Sequence, residues 1–434
     1  MSKIPYGLSD FYQLRREDYI YIDKTRFIEV LESYGEKYIF FLRPRRFGKT
    51  LFLSTLEYYY GLEHKENFDQ LFSDLYIGKN KTNNASSYYI LKFDFSGIET
   101  KDNIETDFLN EIRDSISKFM DKYNFNFEYR KTNNAHTELQ NFLTKLGTTV
   151  EEKVYLLIDE YDHFANEILG FETIDSFENT VSRQGFLRKF FEVIKKKSGE
   201  VIDRLFVTGV SPITLDSMTS GFNIASNLTT DPNFNQVLGF TLTEVKEILD
   251  KISFAEENKD ELLLKLKEYY NGYLFSQYAE EKIFNSDMVL YYFNNYQKLN
   301  REVDELVDSS IASDYSKLQN LFSLQDKKRN FAILEDIIAG YEQIGKITRE
   351  FNLEKNFNKK DFLSLLFYLG FLTISREESG LIYFKVPNYA IKEVYFDFFA
   401  GIIENDSGTD ALEIETSVIE ILKNGKIENF ITKV

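Results

Sequence analysis

The chain has no cysteine and no tryptophan, and only three histidines and five prolines among its 434 residues. Without thiols there is no disulfide framework, no thiol nucleophile and no cysteine-ligated zinc or iron–sulfur centre. His64, His136 and His163 stand far apart with no His-x-x-x-His spacing, which sets aside a histidine-built metal site. No apolar run approaches the roughly eighteen residues a membrane helix needs, and the opening MSKIPYGLSD lacks the apolar core of a signal peptide. The expectation is a soluble, cytoplasmic protein with no membrane partner. A net charge of −18 argues against a surface that grips nucleic acid throughout, because phosphate contacts need clustered Lys and Arg. Aromatics are plentiful instead, with 41 Phe and 29 Tyr, and 43% hydrophobic residues suffice for real cores. The length points to two or three domains.

Four short apolar runs read as buried parallel strands: YIFFL (Tyr38–Leu42), YYILKFDF (Tyr88–Phe95), VYLLID (Val154–Asp159) and RLFVTG (Arg204–Gly209). Long segments between them, such as NIETDFLNEIRDSISKFMDKY, repeat apolar residues at helical spacing. Strand alternating with helix predicts an α/β fold, a parallel sheet covered on both faces. From about residue 236 the texture becomes helical and charged, as in FTLTEVKEILDKI. Near residue 360 the order helix (DFLSLLFYLG), strand (FLTIS), turn (REESG), strand (LIYFKVP) suggests a winged-helix-like unit. The expected division is 1–235, a P-loop unit; 236–400, a helical and winged-helix-like unit; and 401–434, a tail.

The first strand runs into Arg43-Pro44-Arg45-Arg46-Phe47-Gly48-Lys49-Thr50, close to the phosphate-loop pattern G-x-x-x-x-G-K-[ST]. Gly48 lets the backbone approach phosphate, Lys49 reaches the β and γ oxygens, and the Thr50 hydroxyl ligates Mg²⁺. The helix that follows presents its positive end to the anion. The nucleotide-binding set is therefore Arg45, Arg46, Phe47, Gly48, Lys49, Thr50 and Leu51. Arg43 stands where the pattern opens with glycine, and Pro44 is expected to preset the turn instead. Arg45 and Arg46 either add charge near the phosphates or form salt bridges with nearby acids.

VYLLIDEYD supplies the complementary acids. Asp159 emerges at the carboxyl end of a strand, where ligands of parallel sheets sit, and is expected to hold the Mg²⁺ shell. Glu160 is placed to polarise an attacking water. Asp162 and His163 read as structural hydrogen-bonding groups. A further strand between loop and acid strand, with Glu directly after Asp, points to the additional-strand class of P-loop ATPases. The absence of an Asn/Thr-Lys-x-Asp guanine motif favours ATP over GTP. Thr208, ending the RLFVTG strand, is a candidate to sense the γ-phosphate or orient the water, with Ser211 second. Arg183 and Arg188 are arginine-finger candidates against the alternative of a solvated basic face.

PYGLSDF, YIDKT (Tyr21–Thr25), LRPRRFGKT, LIDEYD, VTGVSP, YYNGYLF and VPN together resemble the bacterial and archaeal AAA-ATPase-like proteins, in order from about residue 5 to 400. The resemblance implies that RPRRFGK is this family's own form of the loop. It also implies that YIDKT packs over the nucleotide, with Asp23, Lys24 or Thr25 near the site. Members often continue into a PD-(D/E)XK nuclease domain, and the tail SVIEILKNGKIENFITKV resembles the lead-in to one. Glu-x-Lys, as in Glu244-Val245-Lys246, falls on helical segments, so no intrinsic nuclease activity is expected. The function expected is an ATP-driven switch or motor using ATP and Mg²⁺. The alternative is a regulatory module with little turnover that docks a separate effector protein or DNA. A homo-oligomer is equally open as partner, and the apolar DFLSLLFYLG helix gives no indication of sequence-specific DNA binding.

Overall fold

The computed structural model describes residues 2–98, 104–163, 185–212, 222–252, 259–299, 326–349 and 357–407, with 301, 303, 305–308, 322, 351, 416–417 and 420–421. Arg183, and all but a few positions of the tail beyond 407, lie outside the described residues.

The sheet is built from the apolar runs. Strands β1 (Tyr38–Leu42), β2 (Tyr89–Asp94), β3 (Val154–Asp159), β4 (Ile202–Gly209) and β5 (Ser226–Asn227) lie in the order β2-β3-β4-β1-β5. Every neighbouring pair is parallel. All six residues of β3 are buried, as a strand covered on both faces requires. β4 lies between the loop strand β1 and the acid strand β3, which is the additional-strand arrangement. β5 is only two residues long and extends the sheet beyond β1, too short to leave a pattern in the sequence.

Helices cover both faces. Helix Lys49–Tyr60 follows β1 and buries Phe52, Leu53, Leu56, Tyr59 and Tyr60. Helix Ile104–Lys122 follows β2 and buries Phe108, Ile112, Ile116 and Phe119, the three- and four-residue spacing of one helical face. Helices Ala135–Gly147 and Gly185–Lys197 pack on each other.

The later region is helical and begins with a capping box. The Thr241 hydroxyl accepts from Glu244 N at 3.2 Å, and the Glu244 carboxylate accepts from Thr241 N at 2.7 Å. A small antiparallel sheet closes it, ordered β6 (Gln343–Gly345), β8 (Leu381–Lys385), β7 (Thr373–Glu378). The hairpin turn is tighter than the sequence suggests. β7 runs on to Glu378, and Ser379 and Gly380, with φ of 54° and 80°, make the two-residue turn. Paired positive φ matches the twist of antiparallel strands. β6 is a three-residue edge that no periodicity announces. Helix Lys359–Tyr368 precedes the hairpin, and every residue from Phe362 to Tyr368 is buried.

Candidate functional site

The phosphate loop leaves β1 and turns through two left-handed residues, Arg46 (φ 68°) and Gly48 (φ 88°). Alternating left-handed residues turn successive backbone N–H groups toward one side, the concavity that binds anions. Gly48 is needed for its φ rather than for space, since a Cβ there would meet only Ser286 Oγ, 3.8 Å away. Lys49 and Thr50 then begin the helix. Lys49 is buried, and its ammonium donates to Pro44 O at 3.3 Å and lies 3.8 Å from Glu160 Oε1. An ammonium carries three donors, so one long hydrogen bond leaves donor capacity directed at the cavity.

Opposite the loop, β3 delivers Asp159, whose carboxylate is hydrogen-bonded to the Thr50 side chain. It also accepts from Glu160 N at 3.0 Å. Burial pushes the Asp159 carboxyl up to about 6, with the charges of Glu160 and Asp94 adding and Thr50 and Lys49 opposing. Glu160 itself holds a left-handed backbone (φ 49°), the kind of strain that functional sites retain. A Thr hydroxyl, a buried carboxylate and a second carboxylate beside a buried lysine form the oxygen donor set that suits Mg²⁺ on a triphosphate. The residues present fit both groups.

These side chains line a cavity of about 580 Å³. Arg45, Arg46, Phe47, Gly48, Lys49, Thr50, Leu51, Asp159, Glu160, His163 and Lys24 all border it. Apolar walls come from Leu14, Ile20 and Ile22 of the N-terminal segment and Val237, Leu238 and Ile248 of the later region. Lys24 joins the two walls, donating to Glu244 Oε2 at 2.7 Å and Gln236 O at 2.9 Å. Burial lowers the Lys24 ammonium below its ordinary value, against the opposing pull of Glu244.

Not every candidate faces the cavity. Asp23 does not line it: its Oδ1 accepts from Thr25 N and the Thr25 hydroxyl, and its Oδ2 from Tyr76 N at 2.7 Å. Thr208 does not line it either, and its buried Oγ1 has no hydrogen-bond partner among the described residues. Ser211 is held by Asp162, which also accepts from Val210 N at 3.0 Å. Asp162 is thus the structural group its position suggested. Arg188 pairs with Glu192 along its own helix at 3.1 Å.

Three features escaped the sequence reading. The first is the role of Arg43, which is 1% exposed. Its guanidinium donates to Leu42 O (2.9 Å), Thr229 O (2.7 Å) and Phe234 O (2.8 Å). It lies between the rings of Phe41 and Phe275, 4.3 and 4.2 Å from their centroids. Burial lowers its pKa to about 9, still charged at neutral pH. The second is that the rest of the RPRRF stretch docks on the later region. Phe47 meets Tyr273 and Phe275 edge-on at 4.9 and 5.3 Å, and Arg46 pairs with Asp287 at 3.7 Å. Pro44 sits against Gly370, where a Cβ would be 2.9 Å from Pro44 Cβ. The third is Asp94, at the end of β2, which lines the cavity with Ser96. The available signal was FDF, a strand ending in an acid as VYLLID does.

Residues 5–219 match the AAA-ATPase-like family model, described as Predicted AAA-ATPase. A protein of Azotobacter chroococcum mcd 1, described as an uncharacterized protein in vnfD 5'region, is 29% identical over 290 residues. That alignment takes in 65% of this chain and 50% of the relative, so the chain spans about half the relative's length. Among solved structures, the Aeropyrum pernix ORC1 protein in complex with DNA overlays 92% of this chain and 96% of its own. The identity is 10% and the TM-score 0.32, and so loose an overlay carries no argument about this chain.

Proposed function

Over residues 5–219 the chain belongs to the AAA-ATPase-like family, and on that premise we propose that it binds ATP with Mg²⁺ and hydrolyses it as a molecular switch or motor. The observation that carries this reading is the meeting of Lys49, Thr50, Asp159 and Glu160 around one cavity. In this reading the amides from Arg45 to Leu51 and the Lys49 ammonium bind the β- and γ-phosphates. Thr50 and Asp159 would hold Mg²⁺, which supplies charge neutralisation of the phosphate oxygens. Glu160 turns from Lys49 to accept the proton of the attacking water, a role its position beside both groups supports. Thr208, one residue before the end of β4 and outside the cavity lining, would sense the γ-phosphate only through the strand end that carries it. The apolar walls take the base, with Lys24 tying the N-terminal segment to the later region and Asp23 bracing the turn that presents Lys24.

Residues 1–235 then act as the nucleotide unit, 236–400 as the helical, winged-helix-like part that responds, and 401–434 as a lead-in to whatever follows. No nuclease step is assigned. Glu244 of the Glu-x-Lys triplet is already committed to Thr241 and Lys24. The responding part is suited to a second copy of this chain or a separate effector protein. Phe362–Tyr368 of the helix before the hairpin are buried, and the exposed Lys359 and Lys360 at its start are a small basic face on which to read DNA.

The test is steady-state phosphate release and nucleotide binding in the parent, Lys49→Ala and Glu160→Gln, each with and without DNA. Lys49→Ala loses about 1.5–3 kcal/mol of nucleotide affinity, the scale of a hydrogen bond to a charged group. Glu160→Gln still binds and stops turning over. Undiminished turnover by Glu160→Gln removes the base assignment, and a parent that binds without turnover leaves the regulatory module in its place.

A further inference from the structure

Among the described residues four carboxylates border the cavity; Asp159 and Glu160 belong to the family motifs and Asp287 pairs with Arg46, which leaves Asp94 without a task. β2 and β3 are parallel neighbours, and Asp94 stands in register with Asp159. Register-matched residues of adjacent strands point to the same side of a sheet, so both carboxylates leave the carboxyl edge together. Asp94 Oδ1 accepts from Ser96 N at 3.0 Å, and Oδ2 has no protein partner among the described residues. Lys92, two positions back on the same face, does not neutralise Asp94, because Glu57 holds it at 3.1 Å. Among the described residues no three acidic or histidine side chains gather as direct ligands of one ion. Mg²⁺ keeps several of its own waters in such sites, and an exposed carboxylate at the strand edge beside Asp159 would act through them.

We propose that Asp94 is a positioning residue of the nucleotide site: its free oxygen accepts from waters of the Mg²⁺ shell whose protein edge is Thr50 and Asp159. This rests on the nucleotide reading above. A purely local role is the competing explanation, since an Asx turn onto Ser96 N is what the Oδ1 contact describes. Such a turn needs an acceptor oxygen and no charge, so asparagine preserves it.

The experiment measures the affinity of a fluorescent ATP analogue in Mg²⁺ and in EDTA and takes their ratio, for the parent, Asp94→Asn and Asp94→Glu. The ratio falls roughly tenfold in Asp94→Asn, the scale of one charge-assisted hydrogen bond, and recovers in part in Asp94→Glu. A ratio in Asp94→Asn equal to the parent's overturns the inference while leaving the nucleotide reading intact. A parent that binds no nucleotide in either buffer overturns both.

Discussion

Replacing Arg43 by glycine restores the opening residue of the general phosphate-loop pattern, and the structure says that this restoration is harmful. Residue 43 is not in the left-handed region, so glycine gains nothing from conformational freedom there. What glycine removes is a guanidinium that serves three backbone carbonyls, those of Leu42, Thr229 and Phe234, and two aromatic rings. Each hydrogen bond to a charged donor is worth about 1.5–3 kcal/mol taken alone, and a desolvated cation–π contact about 2 kcal/mol. Such terms do not add. A buried carbonyl left without its donor costs about 1–3 kcal/mol, the cavity left by the side chain adds to that, and so does the flexible glycine. We expect about 4 kcal/mol of destabilisation, a fall in Tm of roughly 4–5 °C for a chain of 434 residues melting as one unit. Arg43→Met fills much of the same volume and falls by less. Calorimetry on the parent and both variants makes the comparison, with nucleotide affinity measured well below the transitions. If Arg43→Gly melts within about 2 °C of the parent, or binds nucleotide more tightly, the reasoning is wrong.

Two other perturbations test the site's frame. Gly209→Ala places a Cβ 2.2 Å from Asp162 Oδ1 and 2.6 Å from the Tyr161 ring. Asp162 cannot retreat without releasing Val210 N and Ser211 N, so the variant loses about 1–3 kcal/mol in urea unfolding; an unchanged midpoint refutes the clash. Asp287 is pushed up to about 6 by burial, with Arg46 opposing and Asp308 adding. A carboxyl with a folded pKa above its unfolded 3.8 favours the folded state when protonated, and that advantage is lost as pH rises from about 4 through 6. Asp287→Asn therefore gains in Tm against the parent at pH 8 relative to pH 5, and a gap that shrinks with rising pH contradicts the assignment.

How much was legible depended on whether the information was local. β1 and β3 are continuous buried runs, and their bounds read to the residue because burial on both faces leaves no polar interruption. Gly48-Lys49-Thr50 and Asp159-Glu160 were legible because their chemistry lies in residue type at fixed spacing. β5 and β6 were not, since two or three residues cannot show a period. Arg43 was not, because its partners lie near residues 229, 234 and 275, and nothing beside it in the chain names them. Asp94 shows the middle case: the strand was read correctly, but the acid at its end becomes meaningful only once β2 is known to lie beside β3.

The glycine at position 370 lies far along the chain from the phosphate loop, in a turn after a buried helix, yet it leaves room for Pro44. A genetic screen for lost nucleotide binding should therefore recover lesions at this remote turn alongside those in the loop itself. For the same reason, a fragment cut near 235 would bare Pro44 and Phe47 to water, and should be sticky rather than a convenient miniature of the whole.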